Sequence, residues 1–108
     1  SVAQSFSKEY NITTVLKSAH TVVAAADGRT YINTYGNSGM ATAGSGDVLA
    51  GIIGSYISQG FDPCKAAVCG VYVHARAGDL AEEKFGRRGL VATDILENIS
   101  QVERMLYV

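Results

Sequence analysis

The sequence predicts an α/β fold in which three short strands, two of them joined as a hairpin, precede about three helices. Three observations predict it. Residues 12–16, 21–25 and 30–34 are short and rich in β-branched side chains, and Asp27-Gly28 between the last two is a hairpin signal. The glycine-rich stretch Gly36-Asn37-Ser38-Gly39-Met40-Ala41-Thr42-Ala43-Gly44-Ser45-Gly46-Asp47 runs without a break into Val48, Leu49, Ile52, Ile53, Tyr56 and Ile57. That apolar set repeats in adjacent pairs every four residues, which is a helical period. Finally, Ala50, Gly54 and Ser58, and likewise Ala66, Gly70 and His74, stack small residues at four-residue spacing. Helices that are small on one side and apolar on the other are buried on more than one side, as in an α/β layer.

Each element has its own warrant. Residues 2–10 place Val2, Phe6 and Tyr10 four apart on one side of a helix. The three strands follow, then a loop over 35–45. A helix over 46–59 is ended by Gly60. Asp62 caps the next, with Pro63 at its first position, and this helix runs to about Lys84. Thr93 is expected to cap a last helix reaching Ile99 or beyond, where Asp94 favours the dipole. There is no internal repeat and no low-complexity segment.

The whole-chain numbers set limits. With 108 residues, the chain is at most one domain, and 47% hydrophobic residues is ordinary for a globular one. Nine basic and ten acidic residues leave a net charge of −1, so neither nucleic acid nor a membrane surface has an electrostatic footprint here. Lys84, Arg87 and Arg88 form a basic cluster that reads as a solvated loop. Cys64 and Cys69 match neither a redox pair nor a zinc spacing and read as buried, reduced thiols. No run approaches the ~18 apolar residues of a membrane span, and no signal-peptide pattern is present. A cytoplasmic location is the expectation.

The glycine-rich loop carries the chemistry. It delivers the chain into a helix N-terminus, where unpaired N–H groups and the positive end of the dipole suit anions such as phosphates. Asp47, in the first turn, could take a proton from a hydroxyl about to attack phosphorus. The plainer alternative is that Asp47 only favours the dipole and that the glycines only serve turns. No Lys-Ser or Lys-Thr pair follows, so this is not a Walker loop. It is not a dinucleotide fingerprint either, which needs a βαβ unit and a later acid.

The segment Gly36–Gly51 closely resembles the signature of the ADP/ATP-dependent NAD(P)H-hydrate dehydratases, which have a ribokinase-like fold. That pattern reads Gly-Asn-Pro-Gly-Met-Ala-Thr, then small residues, then Gly-Asp-Val-Leu. Upstream, Lys17-Ser18-Ala19-His20-Thr21 and Asp27-Gly28 resemble the family's Lys-Gly-x-x-Thr turn and its hairpin. Downstream, Val73-His74-Ala75-Arg76-Ala77-Gly78-Asp79 and Gly89-Leu90-Val91-Ala92-Thr93-Asp94-Ile95 resemble its last two helices. Ser38 stands for the usual Pro and Ser18 for the usual Gly. The resemblance begins part-way through the family's domain, so residues 1–108 are expected to be the C-terminal part of a three-layer ribokinase-like fold, with the upstream half, and most of a parallel sheet, absent.

What the resemblance implies is a lyase that repairs hydrated NADH and NADPH by driving water out at the expense of ADP or ATP, with Mg²⁺. Asp47 would be the catalytic base and would contact the hydrated nicotinamide substrate. Gly44, Ser45 and Gly46 would offer N–H groups to nucleotide phosphates. Lys17, Ser18, Ala19, His20 and Thr21 would line the nucleotide, with Lys17 near phosphate oxygens. Asn37 either presents its amide to substrate or forms an Asx turn. Lys17 has the alternative of an ordinary surface lysine. His74 reads as a packed, hydrogen-bonded side chain and His20 as isolated, so neither is a metal-ligand candidate; Asp79, Glu82 and Glu83 read as a solvated face. The rivals are a ribokinase-like small-molecule kinase and a non-catalytic fragment. A homo-oligomer or a complementary upstream fragment is the expected assembly.

Overall fold

The computed structural model describes residues 2–17, 20–36, 40 and 44–107, with the backbone alone at 2, 87–89, 106 and 107. The order is α1 (Val2–Tyr10), β1 (Thr14–Leu16), β2 (Val22–Ala24), β3 (Thr30–Ile32), α2 (Ser45–Ser58), α3 (Pro63–Gly89) and α4 (Ala92–Tyr107). The strands form one antiparallel sheet in the order β1-β2-β3, with Val15 opposite Val23 and Val23 opposite Tyr31. Gly28, at φ +94°, lets the hairpin turn, and its N–H donates to Ala25 O at 3.0 Å.

Adjacent strand residues point to opposite faces. Val23 and Ala24 are both buried, so both faces of β2 are covered. Val23 clusters with Leu49 of α2 and with Ala67 and Val71 of α3. On the other side α1 lies against β1 and β2. The result is three layers: one helix, a sheet, and the remaining helices. The second core joins Ile52 and Tyr56 to Val73 and Ala77 of α3 and to Ile95 and Val102 of α4.

Helix α1 stands where the sequence places it, and two local expectations elsewhere are corrected. In α1 the buried positions are Ala3 and Ser7. The Ser7 hydroxyl reaches Thr14 Oγ1 at 2.5 Å and the Ala24 carbonyl at 3.1 Å, a close approach that needs small residues. Phe6 and Tyr10 remain exposed and lie ring to ring, 4.8 Å apart. In α2 the small positions Ala50, Gly54 and Ser58 are exposed, and nothing lies within 4 Å of a Cβ built at Gly54. Only the α3 stripe is used: a Cβ at Gly70 would lie 2.5 Å from Ile53 Cγ1. In α4 the first turn begins at Ala92, so Thr93 is inside it, exposed. The cap comes instead from Asp94, whose carboxylate accepts from Val91 N at 2.9 Å.

The other termini follow their sequence signals. Asp62 Oδ1 accepts from Lys65 N at 3.1 Å, with Pro63 opening α3. Gly60 (φ +97°) follows the end of α2. Gly86 breaks the helical geometry within α3 at φ 72° and ψ 166°. Lys84 is therefore helical, and its ammonium donates to Asn98 Oδ1 at 2.9 Å. Both cysteines are free and half-buried, and burial pushes the Cys64 thiol up.

Candidate functional site

Gly44 delivers the chain into α2. At φ 86° and ψ −9° it occupies the left-handed region, which a side chain would strain, and no side chain caps the helix. The first intrahelical bond is Val48 N to Gly44 O at 3.1 Å. The N–H groups of Ser45, Gly46 and Asp47 therefore have no partner inside the helix. Asp47, third in the helix and exposed, adds no side-chain bond to that cap.

Lys17 closes this end from the sheet side. It follows β1, and its Nζ lies 3.0 Å from where a Cβ on Gly46 would stand. Two segments separated by 29 positions in the chain thus put an ammonium group over a bare helix N-terminus. The glycine at 46 is what leaves room for it. An anion placed there would meet a full positive charge and aligned N–H dipoles together.

α3 holds the loop from behind. His74 is 7% exposed, and its Nε2 lies 3.1 Å from Ser45 O and 3.2 Å from Ser45 Oγ. A carbonyl oxygen only accepts, so Nε2 carries the proton. Ser45 is itself buried, with its hydroxyl turned toward His74, so what it can offer a ligand is its backbone N–H. Burial pushes the His74 pKa below the ordinary 6.5; the bond to Ser45 O opposes this and the Lys17 ammonium adds to it. At the far end of the loop, Asp79 Oδ2 accepts from Gly36 N at 3.1 Å. Asp79 is thus corrected from a solvated acid to a loop anchor.

The sign of the His74 shift makes a prediction. Above pH 6.5 the imidazole is neutral in both folded and unfolded chains, and its contribution to stability is fully present. Below 6.5 the unfolded chain takes up the proton first, so that contribution is lost as pH falls through the lowered folded value. Thermal midpoints between pH 7.5 and 5 should drop less steeply in His74→Gln than in wild type; equal slopes would rule out His74 as the group responsible.

Asp47 also lies at one end of a groove of about 430 Å³ between α2 and α4, lined by Val48, Ile52, Leu96 and Ile99 among others. Glu103, which accepts from the Tyr56 hydroxyl at 2.9 Å, lines it too. Of the other expected residues, His20 is exposed, and Thr21 is half-buried with its carbonyl accepting from Asn33 N at 2.9 Å. Ser18, Ala19 and Asn37 lie outside the described residues. Among the described residues no three His, Cys, Asp or Glu side chains converge as a metal cage, and no helix is long and apolar enough to cross a membrane.

Known proteins resemble this chain along most of its length. The family model described as NAD(P)H-hydrate dehydratase matches residues 1–101. A bifunctional NAD(P)H-hydrate repair enzyme, Nnr, from Moorella thermoacetica is 47% identical over 105 residues, 97% of this chain and 20% of its own length. An ADP-dependent (S)-NAD(P)H-hydrate dehydratase from Neisseria meningitidis is 47% identical over 87 residues, 80% of this chain and 29% of its own. The solved ADP/ATP-dependent NAD(P)H-hydrate dehydratase from Bacillus subtilis, co-crystallised with ATP/Mg²⁺, superimposes with a TM-score of 0.90 at 28% identity. It is matched over 96% of this chain and 38% of its own. The chain therefore spans well under half the length of each of these relatives.

Proposed function

The chain belongs to the NAD(P)H-hydrate dehydratase family, and from that premise we propose that it carries the phosphate-holding and catalytic part of an enzyme that uses ADP or ATP to return hydrated NADH and NADPH to NADH and NADPH. The observation that carries this reading is the Lys17 ammonium standing over Gly46 at the uncapped start of α2, with the Asp47 carboxylate exposed in the same turn. Lys17 and the N–H groups at residues 44–46 hold the terminal phosphates. Residues 18–21 line the rest of the nucleotide, and Asn37 contacts the hydrated substrate.

A hydroxyl is a poor leaving group, and its phosphate ester is a good one. Asp47 accepts the ring hydroxyl proton as that oxygen bonds the terminal phosphorus. The bridging P–O bond breaks, so ADP departs as AMP, or ATP as ADP. The ring nitrogen's electron pair then expels phosphate, and the neighbouring carbon loses a proton to restore the double bond. Mg²⁺ would be held chiefly through the substrate phosphates at this turn, which leaves Asp47 free to act as the base. Bound there, Mg²⁺ would supply neutralisation of phosphate charge. Exposed Ile32, Leu96 and Met105 support a second copy or an upstream segment as the partner that covers them.

A kinase that stops at the phosphate ester would share Gly44-Ser45-Gly46-Asp47; the Gly39-Met40-Ala41-Thr42 lead-in favours the dehydratase. The test is incubation with hydrated NADPH and ADP or ATP. Return of the NADPH absorbance band is expected. Accumulation of a phosphorylated product would instead establish the kinase, and nucleotide binding without turnover the non-catalytic reading.

A further inference from the structure

The glycine-rich loop is fastened to α3 at three of its described positions, and the three fastenings share one face of that helix. At ~100° per residue, positions 74, 75, 78 and 79 fall within a single stripe. His74 holds Ser45 at the loop's end and Asp79 holds Gly36 at its beginning. Between them the Met40 side chain fills the space that a Cβ on Gly78 would occupy, and its Sδ lies 3.3 Å from a Cβ built on Gly36. Ala75 lies directly under Gly36, its Cβ 3.6 Å from that same position.

We propose that His74 and Asp79 are positioning residues that act through the loop, fixing the first turn of α2 against Lys17 before any ligand arrives. The proposal rests on the reading of that turn as the phosphate site. The physical reason is preorganisation. Donors that are already aimed lose no freedom when an anion binds, whereas a loop that must be ordered on binding gives up part of its affinity. His74 suits the task because it is buried and neutral, and its Nε2–H reaches the one carbonyl that ties Ser45 down. Asp79 suits it because a carboxylate makes a strong acceptor for the Gly36 N–H, and Gly36, at φ +104° and without a Cβ, has many backbone conformations open to it, of which that bond selects one. Neither side chain has to touch the nucleotide.

The experiment compares the 108-residue chain with His74→Leu, Asp79→Ala, His74→Gln and Asp79→Asn. Gln keeps a neutral donor near the Nε2 position, and Asn keeps an acceptor oxygen. Two quantities are read for each: amide hydrogen exchange at Gly36 and residues 45–47 relative to core amides of α3, and the ADP dissociation constant by calorimetry. His74→Leu is expected to speed exchange at residues 45–47, and Asp79→Ala at Gly36, by about tenfold over the change at core amides. Each should weaken ADP binding about tenfold, the worth of one buried hydrogen bond. His74→Gln and Asp79→Asn should recover most of both losses. Unchanged local exchange in Leu and Ala variants that remain folded overturns the proposal, as does exchange that rises equally everywhere. If those two fail to fold, Gln and Asn decide: exchange at the loop amides close to wild type supports the proposal, and a loss as large at core amides overturns it. Variants that show the exchange differences beside a wild-type chain that binds no ADP would overturn the phosphate-site reading instead.

Discussion

Asp47→Asn is expected to lower kcat for hydrated NADPH by about 10²–10⁴-fold, the usual worth of a general base. The substitution keeps the size of the side chain, and the fold should survive it. Asp47 is exposed, and the helix it begins has no side-chain cap for the change to disturb. Removing a negative charge near bound phosphates should leave nucleotide affinity unchanged or tighter. The informative measurement is therefore a split: kcat and the ADP or ATP dissociation constant, taken in parallel for both forms. An Asn form that turns over hydrated NADPH near the wild-type rate would reduce Asp47 to a charge that favours the helix dipole.

The fold was legible wherever a local signal was strong enough to decide alone. Asp27-Gly28, Gly60, and Asp62 with Pro63 each act through backbone geometry within a few residues, and each stands where the sequence placed it. Apolar pairs every four residues marked α2 for the same reason. Legibility ended where a face had to find a partner. Nothing in residues 2–10 says that Ser7 reaches the Ala24 carbonyl 17 positions away and so turns Phe6 outward. Nor could four-residue spacing alone tell the used small stripe on α3 from the open one on α2. At α4, Thr93 and Asp94 are both capping residue types, and the choice between them rests on where the helix begins: with its first turn at Ala92, two residues earlier than a Thr93 cap requires, Asp94 is the one that reaches back to Val91 N.

The site divides in the same way. Gly44, Ser45, Gly46 and Asp47 could be read as a unit because they are contiguous. The convergence of Lys17 on Gly46 is tertiary and came from resemblance, not from spacing. Asp79 was missed because an acid on a helix looks solvated until the element opposite it is known, and here that element is the loop itself. His74 was read correctly as packed and hydrogen-bonded, but its partner was invisible: the contact is 29 positions away, and the imidazole proton goes to a backbone oxygen beside the Ser45 hydroxyl. A bond to backbone leaves no trace in the partner's residue type.

The remaining large effect concerns that convergence. Gly46→Val should abolish ADP and ATP binding, while Lys17→Ala should weaken it by about 1.5–3 kcal/mol, the range for a hydrogen bond to a charged group. Gly46 lies inside α2, so a side chain there strains no backbone; the cost is space. A Cβ would stand 3.0 Å from Lys17 Nζ, and valine's two methyl groups would push the ammonium aside and cover the N–H groups together. Gly46→Ala is the finer probe. Its single methyl displaces the flexible end of Lys17 but blocks less of the helix terminus, so its loss should overlap with that of Lys17→Ala. In the double variant the two losses should sum to less than their separate values, since an absent lysine cannot be displaced. Calorimetry on the wild type, both single variants and the double closes the cycle. Strict additivity would mean that the two residues act on different parts of the nucleotide, and unchanged affinity in Gly46→Val and Lys17→Ala alike would move the phosphate site away from this turn altogether.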